Sequence, residues 1–102
     1  MDRLEALKNL LAQDPSSSFA RYGLAMEYVK AGALEEAVAE FRRLLEQDRD
    51  YAYAYFHCGQ ALEKLGRADE ARRLYEEGRE AAGRRGDAHA RSEIQAALDL
   101  LG

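Results

Sequence analysis

Gly32-Ala-Leu-Glu-Glu-Ala37, with Phe41 one helical turn later, returns as Gly66-Arg-Ala-Asp-Glu-Ala71, with Tyr75 one turn later. The two stretches lie thirty-four residues apart. A period of that length marks an array of stacked helices, in which each unit buries its apolar face against its neighbour. Working backwards from Gly32, residues 18 to 31 carry Phe19, Tyr22, Met26 and Val29 on one face and Leu24, Tyr28 and Ala31 on another. This is helical spacing, and two apolar faces predict a helix with neighbours on both sides. Beyond Gly32, a second helix over 34–48 places Leu34, Ala37, Val38, Phe41, Leu44 and Leu45 in one stripe. Gly32 supplies the tight connection between two antiparallel helices. Ala37 and Ala71 are small enough to let paired helices approach, with Phe41 and Tyr75 filling the space beyond.

The second copy, 52–85, follows the same plan through Tyr55, Cys58, Gly59, Leu62, Leu65 and Gly66. Together with Ala71 and Tyr75 it resembles a tetratricopeptide repeat, with an aromatic residue, Leu-Gly, Tyr, then Ala, an aromatic residue and Pro. The chain is similar to the small bacterial type. In the first copy Arg21 stands where the first aromatic residue belongs, while Leu24-Ala25 and Tyr28 fit; Arg49 and Gly83 replace the closing Pro. Leu4, Leu7, Leu10 and Leu11 precede Val38, Phe41, Leu44 and Leu45 in the same phase, so residues 2–14 read as the second helix of an incomplete repeat. Forwards the phase fails, because Ser92-Glu93 stands where Leu24-Ala25 and Cys58-Gly59 would recur. Ala90, Ile94, Ala97, Leu98 and Leu101 still form a stripe, which predicts a capping helix over 86–101. The alternation in Tyr51-Ala-Tyr-Ala-Tyr55 favours a strand locally. The repeat register favours a helix, and a lone strand would have no partner. The expected fold is one all-α domain over 1–102, an antiparallel helix-turn-helix array of about six helices. The resemblance implies a right-handed superhelix.

Charge and chemistry-bearing residues exclude several classes of function. The formal net charge is -4, with seven basic and ten acidic groups in residues 1–51 and eight and nine in 52–102. Arg42-Arg43, Arg72-Arg73 and Arg84-Arg85 are the basic pairs, and acidic neighbours dilute all but the last. The chain has no surplus of positive charge to neutralise phosphates, so nucleic acid is not an expected partner. No apolar run is long enough to span a membrane. Cys58 is the only cysteine, which rules out an internal disulfide and makes a cytoplasmic location the simplest expectation. His57 and Cys58 are adjacent, and neighbours on a helix point about 100° apart, too far for a nucleophile and its base. Two histidines and one cysteine offer no zinc-ligand spacing, and Gly83-Arg-Arg-Gly86 lacks the length and ending of a phosphate loop. No catalytic residue, metal or cofactor is expected.

Binding is the expectation that remains. In the family resembled, the first helix of each repeat lines a concave surface that holds peptides. The matching residues are Phe19, Tyr22, Met26, Val29, Tyr53, Phe56 and Gln60, with Glu63 beside them and Lys30 and Lys64 toward the rim. The strip is aromatic and largely uncharged, suited to an extended apolar peptide or the apolar face of a helix. Some family members instead grip a chain-terminal carboxylate, and at the corresponding positions stand Tyr22, Met26, His57, Asp87 and Arg91, of which only Arg91 fits. The expected function is a non-catalytic protein–protein interaction scaffold. The alternative is a self-assembling homodimer whose strip is covered by its own last helix or a second copy. Arrays generally need about three units to be stable, so the end helix is expected to be structural. Deleting residues 86–102 is expected to cause aggregation or non-cooperative melting; cooperative melting at an unchanged temperature would contradict the capping role.

Overall fold

Two kinds of helix ending set the architecture. The computed structural model describes residues 2–102 and contains α1 (Arg3–Gln13), α2 (Ser18–Lys30), α3 (Leu34–Gln47), α4 (Ala52–Lys64), α5 (Ala68–Arg85) and α6 (Ala88–Leu101). After α2 and α4 the chain reverses at Gly32 (φ 77°) and Gly66 (φ 78°), in the left-handed conformation that glycine reaches without a Cβ penalty. The N–H of Ala33 then donates to the Tyr28 carbonyl, and that of Arg67 to the Leu62 carbonyl, each at 2.9 Å. These bonds satisfy carbonyls that the helix end would leave open. Helices α1 and α3 stop differently, at Asp14 and Asp48, whose N–H groups close the last turn onto Leu10 and Leu44 at 2.8 Å.

The phase failure seen in the sequence follows from the loss of the second kind of stop. Asp14 and Asp48 recur in register at Ala82, a strong helix former, so α5 runs on to Arg85 and ends on Gly86 (φ 68°). Helix α5 therefore has 18 residues where α3 has 14, and the connection shrinks from 48–51 to 86–87. The net slip is two residues. Ala20 and Ala54 correspond to Ala90, Leu24 and Cys58 to Ile94, and Tyr28 and Leu62 to Leu98, and all three α6 residues are buried. Helix α6 thus repeats the role of α2 and α4, two positions later than the thirty-four-residue count. Asp87 caps it by accepting from the Ala90 N–H at 3.0 Å, as Ser17 caps α2 through Ala20 at 3.1 Å.

Consecutive helices pack pairwise from α1 to α6, and α4 also meets α6 directly. The main core cluster runs from α2 to α6, with Phe41, Leu44, Leu62, Tyr75 and Ile94 wholly enclosed, and a smaller cluster of Leu7, Ala20 and Leu24 joins α1 to α2. Close approach depends on absent side chains. A Cβ on Gly59 would stand 2.4 Å from the Tyr75 ring, and one on Gly78 2.5 Å from the Tyr55 Cβ. Arg21 and Tyr55 occupy the same register position and do the same job by different chemistry. Arg21 donates to the Pro15 carbonyl at 3.0 Å, and the Tyr55 hydroxyl donates to the Arg49 carbonyl at 2.8 Å, six residues upstream in both cases.

The exchange of an aromatic ring for a guanidinium brings a partner with it. Arg21 pairs with Glu40 at 2.8 Å, both largely buried, where the second repeat has buried Leu74 opposite Tyr55. Arg43 completes the triad at 2.7 Å from Glu40. Such pairs add little over apolar packing, but breaking one leaves a poorly solvated charge. Glu40→Leu is expected to cost about 2 kcal/mol in urea unfolding, and Arg21→Met with Glu40→Leu to recover most of that loss. Equal losses in the single and double variants would show that the ion pair is not what holds α2 to α3.

Candidate peptide-binding groove

The faces of α2, α4 and α6 that point away from the α1, α3 and α5 layer form one surface, and rings run along it. Tyr22 of α2 stacks on Tyr51, just ahead of α4, with centroids 5.1 Å apart and planes at 26°. His57 lies 6.0 Å from Tyr22, 6.5 Å from Phe41, 6.3 Å from Tyr53 and 5.2 Å from Phe56. Phe56 continues to Tyr75 at 6.3 Å. His57 is therefore the hub of the strip, with four rings around it and its Nδ1 3.3 Å from Gln60 Oε1.

Of the residues named from sequence, Phe19 lies in the first turn of α2 with 75% of its surface exposed. Tyr22, Tyr53 and Phe56 are half-buried, so each offers a ring face. Met26 and Val29 are half-buried against the edge of the core, and Gln60 is exposed. Glu63 accepts from the Tyr75 hydroxyl. Lys30 lies at the rim, 3.6 Å from Glu27. Helix α6 stands beside α4 and leaves these rings partly open.

The slip of two residues corrects the positions taken on α6. Asp87 is the helix cap, and Arg91 lines the end of the array with Gly83, Asp87, Ser92 and Gln95. The α6 residues in register with Tyr53 and His57 are His89 and Glu93, so the one basic residue that fitted a carboxylate grip lies outside the groove. Sequence reading also missed Tyr51 as a member of the strip and weighed His57 there only as a carboxylate-grip position. Tyr51 was visible as the first ring of Tyr51-Ala-Tyr-Ala-Tyr55, and His57 as the in-register neighbour of Phe56.

Between α4 and α6 the groove deepens into a cavity of about 310 Å³, bordered by Phe56, Gln60, Glu63, Glu93, Ala97 and Leu100, with Tyr75 contributing its ring. Leu100 is 90% exposed at its edge.

A TPR repeat model matches residues 25–66, and a tetratricopeptide repeat model matches 52–82. The crystal structure of a tetratricopeptide repeat domain protein from Salinibacter ruber is 38% identical, with 83% of this chain and 94% of that one covered and a TM-score of 0.79. The chain belongs to the tetratricopeptide repeat family. A Bordetella parapertussis protein solved in solution is 30% identical over 99% of this chain and 88% of its own, with a TM-score of 0.85. PcrH, in complex with the chaperone binding region of PopD, shares the fold at a TM-score of 0.91 and 18% identity, over 96% of this chain and 74% of that chain. No curated protein matches the sequence. Membership of the tetratricopeptide repeat family makes the chain a protein–protein interaction module, and the family is generally a non-catalytic scaffold.

Burial also sets the ionisation of groups on and beneath this surface. Burial pushes the Cys58 thiol up to about 11, so it carries almost no thiolate at neutral pH. Burial, helped by Tyr51 and Tyr53, pushes the Tyr22 hydroxyl up to about 12, keeping it neutral. Among the described residues no group of three His, Cys, Asp or Glu is placed to hold a metal, and no helix is long and apolar enough to cross a membrane.

Burial among the rings lowers the pKa of His57 below the ordinary 6.5, against the opposing pull of Gln60 and Glu93. The unfolded chain therefore takes up this proton first as pH falls. The stabilisation is full above pH 6.5 and is lost as pH drops through the lower folded value. His57→Phe is expected to flatten the fall in unfolding free energy over that window. An unchanged acid response in urea titrations would remove His57 from the account.

Proposed function

We propose that the tetratricopeptide repeat array binds a protein segment, extended or helical, along the aromatic strip of α2 and α4. Phe19, Tyr22, Met26, Val29, Tyr53, Phe56 and Gln60 are its contact residues, joined by Tyr51 and His57. The observation that carries this reading is the unbroken, half-open run of rings from Tyr51 through Tyr22 and His57 to Phe56. Large rings at an interface exclude water over a wide area at low entropic cost, which is why they dominate binding energy. The PcrH complex supports the reading, since a chain of the same fold takes up a region of another protein. Helix α6 acts as the cap: Ala90, Ile94 and Leu98 close the core, and its outer side carries the exposed Arg91, Ser92 and Asp99.

The exposed ring of Phe19 also suits self-association, so the test must separate a foreign segment from a second copy. Tyr22→Ala with Phe56→Ala is expected to leave helicity and monomer mass unchanged. It should weaken binding of a selected peptide at least about tenfold, as loss of two interface rings implies. Light-scattering mass across a concentration series supplies the second arm. A dimer that the same substitutions dissociate would replace the foreign segment with a second copy, and unchanged peptide binding would take the strip out of recognition.

A further inference from the structure

We infer that the α4–α6 end of the groove selects a partner segment with a lysine or arginine within about three residues of its apolar anchor. This deepens the groove reading above and rests on it. The cavity between α4 and α6 has an apolar floor of Phe56 and Ala97 and an apolar edge at Leu100. Its charged lining residues are Glu63 and Glu93, and no lysine or arginine lines it. The α2 end is different: Tyr22, Tyr51 and Met26 present no carboxylate, and Glu27 lies with Arg3 and Lys30 at 3.6 Å. The groove is therefore unequal along its length, more aromatic at α2, where Asp48 acts on Tyr51, and more acidic in the cavity against α6.

Both carboxylates are partly engaged and still have capacity. Glu63 accepts from the Tyr75 hydroxyl, Glu93 interacts with the Tyr53 hydroxyl, and Glu93 Oε1 lies 2.6 Å from His89 Nε2. An ionised carboxylate accepts about four hydrogen bonds, so each retains sites for an incoming N–H. Their spacing sets the pattern of the ligand. Glu93 is in register with His57, six residues before Glu63 and so roughly 9 Å away along the helix direction. An extended segment rises about 3.3 Å per residue, so an apolar side chain seated on Phe56 brings residues up to about three away to one carboxylate or the other. A basic side chain suits both parts of the wall. Its methylenes lie on Ala97 and Leu100, its cation meets a carboxylate, and the Phe56 ring adds cation–π attraction. The chain's net charge of -4 draws such a segment in from solution.

The test is selection from a random peptide library displayed on phage, followed by titration of synthetic peptides. Selected peptides are expected to carry Lys or Arg close to an aromatic or aliphatic residue. Glu63→Gln with Glu93→Gln should bind them about tenfold more weakly, and replacing the peptide's basic residue by Met should remove that difference. Glu93→Lys, with helicity unchanged, should shift selection toward acidic peptides. Enrichment without basic residues, or equal binding by the double glutamine variant, overturns this inference and leaves the groove reading intact. Selected peptides that bind equally well to the Tyr22→Ala, Phe56→Ala variant overturn the groove reading, and a library that yields no binder overturns both.

Discussion

Everything in this array depends on where each helix is made to stop. A helix of fixed length presents a fixed face to its neighbour, because each added residue turns the stripe by about 100°. Gly32 and Gly66 stop α2 and α4 in a conformation that costs other residues roughly 1–2 kcal/mol. Asp14 and Asp48 stop α1 and α3 without a glycine. Where the next Asp is due, Ala82 lets α5 continue to Gly86, and every face downstream is displaced by two positions. That is why Ile94 rather than Ser92 fills the core, and Glu93 rather than Arg91 reaches the groove.

Within those lengths, packing density comes from pairing bulk with absence. The Tyr75 ring fits because position 59 has no Cβ, and Tyr55 lies close because position 78 has none. The first repeat reaches the same closeness with other volumes: Ala25 and Phe41 at one level, Arg21, Glu40 and Leu44 at the other. Arg21 lacks the apolar area of Tyr55 but keeps its hydrogen bond to a carbonyl six residues upstream. The departure from the family pattern at residue 21 is thus compensated locally by Glu40, and the helix pair keeps its geometry.

The helices and most of the core were legible in the sequence because both follow from periodicity, and periodicity survives substitution. Phe41, Tyr75, Ala37 and Ala71 could be assigned to the interior from spacing alone. The groove was legible only in part, for a physical reason. Tyr22, Tyr53 and Phe56 are set by the rotation of their own helix, which the stripe reveals. Tyr51 precedes the helix and reaches the strip through a connection whose path the stripe does not encode. Glu93 depended on the length of α5, and that turned on the absence of a stop at Ala82, a signal carried by one residue.

The same slip gives the groove its polarity. Had α5 ended in register, α6 would have presented Arg91 level with His57. Two further residues bring Glu93 there instead and carry Leu100 to the rim level with Lys64, while Asp87 stays near Tyr53. The acidic end is therefore a consequence of helix length, and it lies beside the ring cluster that excludes the most water. Charge pairs gain strength next to a surface that displaces solvent. In the proposed binding mode, a carboxylate at the edge of Phe56 and Ala97 consequently discriminates between partner segments more than the same group on the outer face of α5. In the same proposed mode the rings supply area, and the two glutamates supply direction, setting which end of a bound segment faces α6.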